Sequence, residues 1–78
     1  MKIKEVRIAR NMSQLEMASR AVPRLSTNTI YRIECGLGVT LSSLTRACDA
    51  LGINPSDVDE FANVRVISAH QKKQEKTL

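Results

Sequence analysis

Ser26-Thr27-Asn28-Thr29-Ile30-Tyr31-Arg32-Ile33-Glu34-Cys35-Gly36 is the stretch on which the fold turns. Ser26 is an N-cap residue, whose hydroxyl can accept from an orphan amide of a helix's first turn. Gly36 suits the other end, where the chain turns through left-handed backbone. Between them a helix is predicted from Thr27 to about Cys35. Its apolar pair, Ile30 and Ile33, is spaced i, i+3 and marks the buried side. Thr27, Asn28, Tyr31 and Arg32 are left facing elsewhere, so the second face carries hydrogen-bonding groups and a single arginine.

Upstream, Ser13-Gln14-Leu15-Glu16 reads as a capping box, with the Ser13 hydroxyl on the Glu16 amide and the Glu16 carboxylate reaching back. A helix is predicted from Gln14 to about Ala21, burying Met17, Ala18 and Ala21 and stopped by Pro23. Ahead of it, Lys2 to Arg10 reads as a helix with Ile3, Val6 and Arg10 on one face and Ala9 adding apolar width. Asn11-Met12 breaks the two apart. Downstream, Thr40 caps a helix from Leu41 to Leu51, and Gly52 ends it. Its Leu41, Leu44, Ala47, Cys48 and Leu51 form a core stripe. Asn54-Pro55, a cap followed by an N1 proline, opens a fifth short helix to about Phe61. Val58 and Phe61 are expected to close the core. Val64, Val66 and Ser68 then alternate like a short strand before a polar, frayed end. The expectation is an all-α, compact five-helix domain over 1–61. A tail over 62–78 follows, a candidate dimerisation strand and then disorder.

Composition agrees. The 78 residues suffice for one domain, and 42% hydrophobic with 26% charged residues is a globular balance. One Tyr, one Phe and no Trp leave the core to aliphatic side chains, which favours helices over sheet. Charge is unevenly spread: residues 1–36 carry +4, 37–61 carry −3 and 62–78 carry +3. That is the pattern of a domain with one nucleic-acid face, or simply of solvated surface charge. No apolar run suits a signal peptide or the roughly 20 residues of a membrane span, so a cytoplasmic protein with reduced thiols is expected. Cys35 and Cys48 form no CxxC, and His70 stands alone in the tail. No metal or cofactor is expected, and no Ser/His/Asp or Cys/His set supports an enzyme.

A capped second helix followed by a third with a polar outer face is the helix-turn-helix scheme. The chain resembles the phage-repressor type of these domains, the Cro and lambda-repressor class, over about residues 2–61. Val6-Arg7 with Arg10, Met12-Ser13-Gln14, Met17-Ala18, Ser26 to Gly36 and Leu44 to Ile53 carry the resemblance. The turn Val22-Pro23-Arg24-Leu25 departs from it, being about two residues longer than usual and without glycine. The loop after Gly36 is shorter than usual.

The resemblance implies that the third helix enters the major groove of double-stranded DNA. Thr27, Asn28 and Arg32 then occupy base-reading positions. Asn can pair with adenine and Arg with guanine, each through two hydrogen bonds. The alternatives are a second capping role for Thr27 and Asn28, and a salt bridge or phosphate contact for Arg32. Gln14, Cys35 and Gly36 fall at backbone positions, while Tyr31 is either a phosphate contact or partial core filling. Arg10 and Arg24, like Lys2 and Lys4, are weaker phosphate candidates. Arg7 and Glu34 resemble the family's internal ion pair. The implied function is a sequence-specific, homodimeric transcriptional regulator, with repression as its leading role; a phage repressor, a restriction–modification controller and an antitoxin all fit. The rival is a protein-interaction module whose partner covers Ile8 and Leu15, apolar residues where the family usually has polar surface.

Overall fold

Three hydroxyl caps set the frame of the protein, whose computed structural model describes residues 1–65. The Ser13 Oγ accepts from the Glu16 amide at 3.0 Å and starts α2, Gln14–Arg20. The Ser26 Oγ accepts from the Thr29 amide at 3.1 Å and starts α3, Thr27–Glu34. The Thr40 Oγ1 accepts from the Ser43 amide at 3.1 Å and starts α4, Leu41–Leu51, which ends at Gly52 with φ 72°. Ahead of these lies α1, Ile3–Ala9, separated from α2 by Asn11 at φ 57°. The helices α2 and α3 pack on one another and on α4, with α1 against α4. Met17, Ile30, Ile33, Leu44 and Cys48 fill the centre.

Several sequence expectations need correction. The Ser13 box is half made, because the Glu16 carboxylate turns along α2 to Arg20, 3.2 Å away. Arg10 is not on the buried face: α1 stops at Ala9, so Arg10 is its C-cap, and the buried position four residues after Ile3 is Arg7. Leu41, at the first position of α4, overhangs the core and is exposed.

The expected fifth helix is instead two 3₁₀ turns, Pro55–Asp57 and Asp59–Asn63, so the α-helices number four among the described residues. The break is Val58, extended at φ −101°, ψ 149°. That conformation drops the Val58 side chain into the core and resets the phase of the second turn. Phe61 therefore faces outward at 44% exposure rather than closing the core. The same turn aims the buried Glu60 carboxylate at the first turn of α1, where it accepts from the Ile3 amide at 3.2 Å. The Asp59 amide donates to the Met1 carbonyl at 2.7 Å. The Met1 amino group, then Lys2, hold the Asp59 carboxyl below the usual carboxylate range.

Past these turns, Val64 makes a single parallel bridge to Val39: the Val39 amide donates to the Asn63 carbonyl at 3.1 Å, and the Arg65 amide to the Val39 carbonyl at 2.8 Å. The rest of the expected strand, Val66 to Ser68, and His70 lie outside the described residues.

Burial, with the nearby Glu60 and Asp49 carboxylates, pushes the fully buried Cys48 thiol up to about 11, whereas Cys35 is exposed. A disulfide exchange reagent at pH 8 is expected to titrate one thiol rapidly in the native protein and the second only on unfolding. Equal rates for Cys35→Ser and Cys48→Ser would contradict this.

Candidate nucleic-acid interface

Ile30 and Ile33 seat α3 on the core, and that seating turns Thr27, Asn28, Tyr31, Arg32 and Cys35 outward along one stripe. The stripe is unencumbered. Among the described residues, the side chains of Thr27, Asn28 and Arg32 make no hydrogen bond or ion pair within the chain. Capping is done by Ser26, whose hydroxyl lies 2.9 Å from that of Thr29, so Thr27 and Asn28 have no capping duty. Tyr31 is more than half exposed and fills no core. Hydrogen bonding with the neighbouring Cys35 thiol pushes its pKa above the ordinary tyrosine value. Past Cys35, Gly36 takes φ 79° and lets the Leu37 amide return to the Arg32 carbonyl at 3.1 Å.

The end of α3 is fixed by charge. The Arg7 guanidinium grips both Glu34 oxygens, with Nε donating at 2.7 Å and the other arm at 3.1 Å. Its third donor goes to the Met12 carbonyl at 2.8 Å. Gln14 Nε2 also donates to Glu34, at 3.0 Å. One carboxylate, its side chain 4% exposed, thereby joins α1, α2 and α3. An amide group has two N–H donors, so Gln14 keeps one for a ligand.

Arg10 and Arg24 are separate exposed cations, the first at the end of α1 and the second in the turn before α3. Arg24 reaches the Ser19 hydroxyl at 3.4 Å.

Three residues that sequence reasoning passed over position this surface. Arg46 of α4 donates to the Pro23 and Arg24 carbonyls at 3.2 and 3.4 Å, and the Leu25 amide to the Ala18 carbonyl at 3.0 Å. Those bonds hold the long turn that lacks glycine. Arg46 is the only basic residue of the acidic stretch 37–61, and that isolation was the available signal. Glu60 and Arg65 are the other two; each acts on a segment distant in sequence, so no local pattern announces it.

Among the described residues, no His, Cys, Asp and Glu cluster could hold a metal ion. Among them, too, no helix is long and apolar enough to cross a membrane. A family model described as a Cro/C1-type helix-turn-helix DNA-binding domain matches residues 2–62. No curated protein and no solved structure gives a significant match.

Proposed function

The chain belongs to the Cro/C1-type helix-turn-helix DNA-binding family, and from that premise we propose that it is a sequence-specific regulator that represses transcription by occupying its operator. The observation that carries this reading is the free outer stripe of α3 on a helix whose end is pinned by Glu34. In this reading Thr27, Asn28 and Arg32 meet base edges in the major groove. Gln14, Tyr31 and the Cys35–Gly36 turn meet the phosphate backbone, with Arg10 and Arg24 adding charge. The test is a binding titration against the DNA upstream of its own gene and against random duplex, over a salt series. Specific binding with a steep salt dependence supports the reading; no salt-dependent binding to either DNA refutes it.

Gln14 has one N–H to give to a phosphate, a contact blind to sequence. Gln14→Ala is expected to weaken binding to specific and random DNA alike, by about fivefold. A loss confined to the specific site would remove Gln14 from the backbone.

We also propose a homodimer on two half-sites about one helical turn apart, assembled through the exposed Phe61 and the chain after it. Light scattering of Phe61→Glu tests this, since an unchanged dimer mass would exclude Phe61. The second reading, a protein-interaction module, is favoured by Ile8 and Leu15, which stand 56% and 61% exposed. Loss of a partner, with DNA binding intact, on Ile8→Ser and Leu15→Ser would support it.

A further inference from the structure

A cleft of about 150 Å³ opens between the outer side of α3 and the loop that leads into α4. Arg32 of α3 and Arg65, next to the Val39–Val64 bridge, both line it, with the hydroxyl residues Thr40 and Ser43. No carboxylate lines it, and neither arginine has an ion-pair partner among the described residues. Two arginines thus line a concave site whose lining holds no carboxylate. The loop itself, Leu37 to Thr40, carries no charged residue, so the positive charge on that side of the cleft comes from Arg65.

Arg65 is placed there by two features. The Val39–Val64 bridge fixes its backbone, through the 2.8 Å bond from its amide to the Val39 carbonyl. Its stem then lies across Gly38, where a Cβ would come within 3.0–3.2 Å of Arg65 Cγ, Cδ and Nε. Gly38 is not in left-handed backbone. Its contribution is room for the arginine.

We propose that this cleft binds a phosphate group, that of the DNA backbone beside the bases read by Arg32, with Arg65 as its principal ligand. Guanidinium matches phosphate oxygens through paired N–H donors. Thr40 Oγ1 already accepts from the Ser43 amide, which leaves its hydroxyl hydrogen, and that of Ser43, to donate. The assignment to DNA rests on the function proposed above; a free phosphate-bearing molecule offers the same chemistry, and the test separates the two.

Full-length wild type, Arg65→Gln and Gly38→Ala are titrated with operator and random DNA over a salt series. Each free protein is also titrated with inorganic phosphate against chloride at constant ionic strength, following arginine Nε–H signals by NMR. Arg65→Gln is expected to lose about five- to tenfold on both DNAs and about one unit of salt slope, with its melting temperature unchanged. Gly38→Ala should move in the same direction by displacing the stem. Phosphate should shift the Arg65 signal in wild type. If DNA binding by Arg65→Gln is unchanged but phosphate still shifts wild type, the cleft takes a free phosphate and the DNA assignment is overturned. If neither DNA binding nor the NMR signals respond, the cleft is no phosphate site. Should wild type bind no DNA, the proposed function fails, and the phosphate titration still judges the cleft.

Discussion

Arg7→Ala is expected to lower the unfolding free energy by about 3–5 kcal/mol, the usual cost of removing one partner from a buried ion pair. The side chain satisfies three acceptors at once: both oxygens of Glu34 and the Met12 carbonyl. Truncation leaves a carboxylate almost wholly out of water with only Gln14 for company, along with an orphaned carbonyl. Small domains sit near the bottom of the usual range of stability, about 5–15 kcal/mol, so the variant should be largely unfolded at about 37 °C. The cost belongs to the broken pair rather than to any net gain from having it. Arg7→Met with Glu34→Leu, which removes both charges, should therefore recover most of the loss. About 1 kcal/mol should persist from the unpaired Met12 carbonyl. Urea unfolding followed by circular dichroism measures all three proteins. A loss below about 1 kcal/mol in the single variant would mean that the pair is solvated in solution.

Asn28→Ala and Arg32→Ala should leave the fold intact and fall on recognition. Each is expected to cost about 1–3 kcal/mol on the operator and little on random DNA, because a two-bond contact to a base edge is what discriminates. Asn28 and Arg32 are i, i+4 neighbours on α3, so the double variant should depart from the sum. Arg32→Lys should not rescue, since an ammonium cannot present the paired donors that match guanine O6 and N7. Equal losses on operator and random DNA would move both residues to the phosphate backbone.

Much of the fold was legible in the chain because the helix caps are local chemistry. Ser13, Ser26, Thr40 and Gly52 mark ends that depend on residues only a few positions away, and the Ile30–Ile33 and Leu44–Leu51 spacings give the buried sides directly. The stretch after Asn54 was misread for the opposite reason. Asn54 does cap, accepting from the Ser56 amide at 3.0 Å, but the path beyond that cap is governed by Glu60 and Asp59 bonding the chain's first residues. That tertiary demand outweighs local helix signals and reverses Phe61. The first helix shows the same limit at smaller scale: apolar spacing sets Arg10 beside Ile3 and Val6, whereas the arginine on the buried face is Arg7, which only the family resemblance pairs with Glu34. At the candidate site, the outer stripe of α3 followed from its apolar pair. Arg65 was hidden because the bridge that carries it to Gly38 spans distant parts of the sequence.

The outer residues of α3 bear none of the weight of the joint at Glu34. Among the described residues the side chains of Thr27, Asn28 and Arg32 hold nothing else in place, so replacing them should change stability by no more than about 0.5 kcal/mol each. A lineage carrying this domain can drift at those three positions without first acquiring compensating changes in its interior. With base reading by those three residues as proposed, new operators would be reached in single steps, and laboratory libraries randomised at Thr27, Asn28 and Arg32 should consist mostly of folded proteins.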